Sequence, residues 1–482
     1  MNNDQFRRWM HRAADWSADY REQLPQRPVR ARVQPGEVLA ALAATPPEQP
    51  ESFESIFSDF ESIIPDAMTH WQHPRFFAYF PSNAAPPAVI AEQLAGAIAA
   101  QGMLWQTSPA LTELEIQMVA WLAQATGLPD RFKGVLQDTA STATLCAVLT
   151  MRERALQWQG NQRGLAGQAR IRIYASTQTH SSIDRAMWIS GIGQDNLVKI
   201  PAARTHPWPI DIAAARQAIR ADRAAGLIPA GIIGCVGGTS IGGSDDIAAL
   251  AQLAREEDLY LHVDAAWAGS AMICPEFRDL WAGVEHADSI VFNPHKWLGV
   301  PMECSAHFVA DPDSLVRTLA IQPEYLKTHG QDGLVNFSEW SVTLGRRFRA
   351  LKLWFLIRHY GLSGLREMIR NHVRWSQALA GQIASQPDFE LSSEPVLSLF
   401  SFRYRPARFG APGEPLSESA CAELNQLNLQ LLEAINSDGR TYLTQTRLDQ
   451  HLVIRFQVGP FECTESDVQQ AWSAVAELAR RP

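Results

Sequence analysis

Two short runs of this sequence place reactive side chains at the ends of apolar segments. The first, Leu261-His262-Val263-Asp264-Ala265-Ala266-Trp267-Ala268-Gly269, closes on an aspartate followed by small residues. The second, Ser289-Ile290-Val291-Phe292-Asn293-Pro294-His295-Lys296-Trp297, closes on a lysine between a histidine and a tryptophan. An ammonium in so apolar a setting is costly to bury. Desolvation lowers the lysine pKa and frees an amine that can attack a carbonyl and form a Schiff base. Most lysines are exposed, so Lys296 alone reads more simply as a side chain snorkelling to the surface at a strand end. The aspartate at the end of the companion run shifts that balance.

Pyridoxal phosphate is a cofactor that needs both groups. Its carbonyl takes the lysine, and a carboxylate keeps its pyridine nitrogen protonated so that the ring withdraws electrons. It also needs a phosphate cradle. Gln137-Asp138-Thr139-Ala140-Ser141-Thr142 reads as a strand, a turn of small hydroxyl residues and the start of a helix through Ala143–Ala155. Free N–H groups and hydroxyls at a helix N-terminus bind phosphate. Alone, Thr139–Ser141 reads as ordinary N-capping. Gly237-Gly238-Thr239-Ser240-Ile241-Gly242-Gly243 lacks the G-x-G-x-x-G pattern and reads as a strand-end turn close to the cofactor. Thr179-His180-Ser181-Ser182 follows another apolar run. His180 is there either a satisfied loop histidine or an imidazole stacked on the cofactor ring.

The elements that must position these groups alternate. Apolar runs at Gly134–Gln137, Ile171–Ala175, Ile228–Val236, Leu259–Val263, Ser289–Phe292 and Ala306–Val309 are separated by helical patterns. That argues for an α/β fold, a mainly parallel sheet flanked by helices, with ligands at the carboxyl ends of the strands. Before it, Phe6, Trp9, Met10, Ala13, Trp16 and Tyr20 recur at helical spacing and form a stripe that needs a partner. A Pro-rich passage over 25–50 follows. Ser108-Pro109 opens a helix that Gly127 closes. After about residue 365 the pattern becomes a small α+β domain: a helix over Leu362–Gln386, a strand over Val396–Tyr404, a helix over Ser417–Asn436, strands at Thr441–Thr444 and Leu452–Val458, and a last helix from about Ser466.

The 482 residues exceed what one core usually serves. A formal net charge of -9 without Lys/Arg blocks disfavours nucleic acid and anionic membranes as partners. The six cysteines form no CxxC pair and show no metal-ligand spacing, so they read as buried thiols, and no metal is expected. Pro86–Trp105 is the most apolar stretch, but Glu92, Gln93 and Gln101 interrupt it, so no transmembrane helix is expected. The N-terminus lacks the apolar core of a signal peptide. A cytoplasmic enzyme fits these features.

Across nearly its whole length the chain resembles the aromatic-L-amino-acid decarboxylases, the group II pyridoxal-phosphate decarboxylases. The resemblance is carried by His73-Pro74-Arg75-Phe76-Phe77-Ala78-Tyr79-Phe80-Pro81, Ser108-Pro109-Ala110, His262–Ala271 with Ile273-Cys274-Pro275-Glu276-Phe277, Asn293-Pro294-His295-Lys296-Trp297 and Leu344-Gly345-Arg346-Arg347-Phe348. It implies the type I fold of pyridoxal-phosphate-dependent transferases. An N-terminal helical segment (1–85) would pack on a dimer partner, ahead of a large α/β domain (86–364) and a small C-terminal α+β domain (365–482). It implies that Lys296 holds the cofactor, that Asp264 pairs with the pyridine nitrogen, and that His180 and Ala266 lie on opposite ring faces. Thr139, Ala140, Ser141, Asn293 and His295 would surround the phosphate, with Thr239 near the ring. Trp71, Tyr79, Phe80 and Pro81 would line the substrate pocket, and Gln101 and Met103 would enter the pocket of the other subunit of a homodimer.

The reaction implied is decarboxylation of an aromatic L-amino acid such as DOPA, tyrosine, phenylalanine, tryptophan or hydroxytryptophan. A decarboxylase aims the carboxylate out of the cofactor plane, whereas an aminotransferase clamps it with an arginine. Two positions depart from the family pattern. Trp267 stands where tyrosine is common. Phe337 stands where animal and plant members carry a tyrosine, in the loop from Tyr325 to Trp340, and phenylalanine has no proton to give to the substrate. In related plant enzymes that exchange accompanies oxidative conversion to an aldehyde, ammonia and hydrogen peroxide. The simpler expectation is decarboxylation with His180 or Tyr325 as proton source. An aminotransferase and a silent binding protein are the remaining readings, and the intact Lys296, Asp264 and His180 disfavour the last.

Overall fold

The computed structural model describes residues 1–321 and 334–481. Its main sheet has seven strands in the order β1-β7-β6-β5-β4-β2-β3. They are β1 (Lys133–Gln137), β2 (Ile171–Ser176), β3 (Leu197–Ile200), β4 (Ile228–Cys235), β5 (Tyr260–Asp264), β6 (Ser289–Phe292) and β7 (Ser305–Val309). Strands β3, β2, β4, β5 and β6 run parallel, and β7 is antiparallel to both β6 and β1. This is an α/β fold with a mainly parallel sheet flanked by helices, the architecture of the type I pyridoxal-phosphate enzymes. The six expected runs are all strands, and β3 is an additional edge strand.

Burial explains the sequence pattern. Strands β5, β6 and β7 are buried at every residue, as a sheet covered on both faces requires. The helix Ala140–Ala155 covers one face and the helix Ile247–Glu256 the other. Gly231 and Gly234 mark the two close approaches: a Cβ on Gly231 would meet the Met151 sulfur at 2.6 Å, and one on Gly234 would meet Leu250 at 2.8 Å. The period of two along a strand puts His262 and Asp264 on the face of the Ala140–Ala155 helix, and Leu261 and Val263 on the other.

The chain forms two compact units. One contains Ser82–Gln377 and Ser393–Ser401, and so the whole seven-stranded sheet. The other gathers Met1–Pro81, Ala378–Ser392 and Phe402–Pro482. In the latter, part of the apolar stripe of the first helix, Asn3–Gln23, packs on the helix Phe53–Ile63 of the same chain, while Phe6 stays exposed. Trp9 packs on Phe53 and Phe57, and Trp16 on Phe60, with ring centroids 4.7–5.4 Å apart. Phe76 bridges to Tyr442, and Phe77 stacks on Phe456. Four further strands, β8 (Phe389–Val396), β9 (Leu399–Tyr404), β10 (Thr444–Leu448) and β11 (His451–Gln457), form a second sheet in the order β10-β11-β9-β8. The run expected as one strand over Val396–Tyr404 is thus a hairpin, turned at Leu397 with a φ of +53°.

Candidate active site

Every group expected to touch the cofactor leaves the sheet at one edge. Asp264 ends β5, Asn293 follows β6, Thr239 follows β4, His180 follows β2 and Thr139 follows β1. In parallel strands that edge holds the carboxyl ends, and β1 shares their direction because β7 reverses it twice.

Three of these groups sense one another electrostatically. Burial pushes the Lys296 amine below the usual lysine range, against a smaller opposing pull from Asp264 and then Cys235. Burial likewise lowers His180; Asp264 opposes this and Lys296 adds to it. Asp264 is buried, and its Oδ1 accepts the Ala266 N–H at 3.0 Å. The main chain of Lys296 is fixed twice: its N–H donates to the Asn293 carbonyl at 2.9 Å, and its carbonyl accepts from Asn83 Nδ2 at 2.8 Å. His180 accepts the Ser182 N–H on Nδ1 at 3.1 Å, so a neutral imidazole carries its proton on Nε2.

The turn before the helix Ala140–Ala155 is built to receive an anion. Thr139 is its N-cap and accepts the Thr142 N–H. The N–H groups of Ala140 and Ser141, in the first turn, have no intrahelical carbonyl to bind. Ala140 and Ala143 pack with Val291 and Ala266, which seats this helix start directly on the ends of β5 and β6. Opposite stand Asn293 and His295. Asn293 is buried, with its Oδ1 unpartnered among the described residues. His295 accepts the Cys304 N–H on Nδ1 at 3.0 Å, and burial drives its pKa down to about 3, leaving a neutral ring with an Nε2–H donor. These groups fit pyridoxal phosphate: donors for the phosphate, a carboxylate for the ring nitrogen and an amine for the carbonyl.

The remaining expected residues are placed elsewhere. Trp71, Tyr79, Phe80 and Pro81 belong to the other compact unit. There Trp71 stacks on Tyr79 at 5.4 Å, and the Arg455 guanidinium lies over Phe80 at 5.4 Å. Tyr79 has a φ of +46°, a strained value for a non-glycine residue. Gln101 accepts the Arg346 N–H at 2.9 Å and lies against Gly345, with half-buried Met103 close by in sequence. Phe337 is buried beneath the Arg346 guanidinium, 5.1 Å from its ring centre. It lines an apolar cavity of about 430 Å³ with Val119, Phe132, Lys133 and Gly134, beside β1. Trp267 is buried, stacks on Trp297 at 5.1 Å and abuts Gly237. Tyr325 lies outside the described residues.

Two contributors escaped the sequence reading. Asn83, which holds the Lys296 carbonyl, could have been noticed with Ser82 as a polar interruption of the otherwise apolar, Pro-rich run Pro81–Pro87. Cys235 ends β4 in register with Asp264, and nothing in its sequence context distinguishes it. Among the described residues no cluster of His, Cys, Asp or Glu could hold a metal ion, and no helix is long and apolar enough to cross a membrane.

Comparison with known proteins identifies relatives along the whole chain. Residues 35–405 match the model of the pyridoxal-dependent decarboxylase conserved domain. The chain is 39% identical to the aromatic-L-amino-acid decarboxylase of Rattus norvegicus, over 99% of this chain and 98% of that protein. A crystal structure of Oryza sativa TDC with PLP and tryptamine superposes with a TM-score of 0.94 at 34% identity, covering 99% of this chain and 98% of that one. The 4-hydroxyphenylacetaldehyde synthase of Rhodiola rosea superposes with a TM-score of 0.90 at 33% identity, covering 100% and 99%.

Proposed function

This chain belongs to the pyridoxal-dependent decarboxylase family, and from that premise we propose that it converts an aromatic L-amino acid to the arylalkylamine and carbon dioxide. The observation that carries the reading is the half-buried Lys296, whose amine senses Asp264 and is sensed by His180 at the carboxyl edge of the sheet. Bound pyridoxal phosphate supplies an electron sink for the pair released when the carboxylate leaves. The protein does the rest. Lys296 holds the cofactor through its amine. Asp264 holds a proton at the pyridine nitrogen. Thr139, Ala140, Ser141, Asn293 and His295 hold the phosphate, and Ala266, Thr239 and His180 confine the ring. His180, in its protonated form, would supply the proton that the substrate Cα takes up. Trp71, Tyr79, Phe80 and Pro81 offer aromatic and apolar faces that suit a flat substrate ring, and Gln101 and Met103 enter the pocket of the partner subunit.

The enzyme acts as a homodimer with its active site at the interface. Ile90, Leu94 and Ile98 form an exposed stripe on the helix Pro86–Ile98, and such a stripe needs a cover. Light scattering on the eluted protein checks this, and Leu94→Arg should yield monomer. A cytoplasmic location suits its six free, buried cysteines.

A second reading is oxidative: aldehyde, ammonia and hydrogen peroxide in place of amine. The likeness to the aldehyde synthase favours it. Product analysis in air separates the two. DOPA, tyrosine, phenylalanine and tryptophan would be supplied in turn with pyridoxal phosphate. Amine equal to carbon dioxide, without peroxide, supports the first reading. Aldehyde with equal peroxide and ammonia replaces it with the second.

A further inference from the structure

His262 stands two residues before Asp264 on β5 and faces the same side of the sheet. Its neighbours Leu261 and Val263 are apolar, yet its imidazole is fully buried. Both ring nitrogens are engaged. Nδ1 meets Ser289 Oγ at 2.7 Å, and Nε2 meets Thr144 Oγ1 at 3.4 Å. Ser289 opens β6, the strand that delivers Asn293 and Lys296. Thr144 lies one turn along the helix that begins at Ala140, whose first residues form the phosphate cradle. From β5 one ring therefore reaches the helix and β6, so that it links three of the elements that carry cofactor groups.

We infer that His262 is a positioning residue: its imidazole bridges Thr144 and Ser289 and fixes the cradle helix relative to the strands bearing Asp264 and Lys296. The inference rests on the cofactor reading above. A neutral imidazole has one donor and one acceptor nitrogen, held at a fixed separation by a rigid ring. Hydroxyls on either side can each take the complementary role. Burial lowers the His262 pKa to about 3, so the ring keeps that neutral form at any working pH. A leucine would fill similar space but leave the spacing to softer packing and remove the imidazole partner of both hydroxyls. The helix start and the strand ends clasp different parts of one rigid cofactor, so small errors in their spacing weaken both grips.

Two near-isosteric variants test the bridge without disturbing any cofactor contact. Thr144→Val removes the helix leg, and Ser289→Ala removes the strand leg. His262→Phe removes both, and His262→Asn keeps an acceptor for Ser289 alone. The readouts are the dissociation constant of pyridoxal phosphate, from its absorbance, and the melting temperature of the cofactor-free protein. The expected result for Thr144→Val is a dissociation constant raised about tenfold with little change in the cofactor-free melting temperature. Adding Thr144→Val to His262→Phe should raise it no further. Unchanged affinity in both Thr144→Val and Ser289→Ala, while the wild type binds normally, overturns the bridge and leaves the cofactor reading intact. If the wild type itself takes up no pyridoxal phosphate, the cofactor reading falls and the bridge with it. If His262→Phe does not fold, the two single-leg variants decide.

Discussion

Glu115 and Arg346 form a bidentate ion pair, with contacts of 2.6 and 3.1 Å, in which both side chains are buried. The pair also serves the backbone of β1. Glu115 accepts the Leu136 N–H at 2.8 Å, and Arg346 donates to the Leu136 carbonyl at 2.8 Å. Because Leu136 lies just ahead of the cradle turn, the pair holds the strand from which that turn springs.

Removing one partner leaves an uncompensated buried charge. Glu115→Ala should therefore destabilise the protein by about 3–5 kcal/mol. Replacing both, as Glu115→Leu with Arg346→Met, should cost less than Glu115→Ala alone, because no charge is stranded. It should not be neutral, since the Leu136 N–H loses its acceptor. Urea titrations of the three proteins provide the check. A single variant as stable as wild type would mean the pair is solvated.

Lys296→Ala should abolish turnover and the visible absorbance of bound cofactor. Asp264→Ala should retain cofactor but lose on the order of 10³-fold in rate, several kcal/mol of transition-state stabilisation. Stopped-flow carbon dioxide release, read beside the absorbance, separates the two effects. Near wild-type turnover in Asp264→Ala would place the partner of the pyridine nitrogen elsewhere.

Stability should fall in mild acid, and the direction follows from the buried histidines. Burial holds His262, His307 and His372 at about 3, about 4 and about 3. In the unfolded chain each titrates near 6.5. Between pH 4 and 6.5 the unfolded chain thus binds protons that the folded one refuses. Their contribution is complete above pH 6.5 and is lost as pH drops, by at most about 1.4 kcal/mol per unit for each. Asp245 opposes one of these slopes. Burial raises it to about 6, so the folded form takes up a proton before the unfolded one does. Melting temperatures of the cofactor-free protein should decline from pH 7 to pH 5, and less steeply in His307→Phe. Parallel curves for the two proteins would show that His307 is already protonated or hydrated in the fold.

The parts of this structure legible in the sequence were local ones. The apolar runs ending at Asp264 and before Lys296, and the cap at Thr139, each declare themselves within a few residues. The edge strand Leu197–Ile200 did not: it is four residues long and half-buried at Val198 and Lys199. The turn at Leu397 was hidden because a leucine does not advertise a left-handed backbone. Glu115 with Arg346, and Asn83 with Lys296, join positions more than 200 residues apart, and no periodicity links them. His262 was visible as part of a motif, but its two hydroxyl partners were not.

Phe337 shows the limit of reading a role from an aligned position. Its ring is buried beside Phe132, Lys133 and Gly134, where Arg346 and Trp340 hold it. Arg346 and Trp340 in turn bond Leu136 and Gln137 of β1. A hydroxyl added to the ring has cavity space to enter within its own chain. Phe337→Tyr should therefore leave the ratio of amine to aldehyde unchanged and alter stability by no more than about 1 kcal/mol. Simultaneous assay of amine, peroxide and ammonia on both proteins tests this. Peroxide formed by the wild type and suppressed in Phe337→Tyr would instead bring this position to the reacting carbon, through rearrangement or from a second copy of the chain.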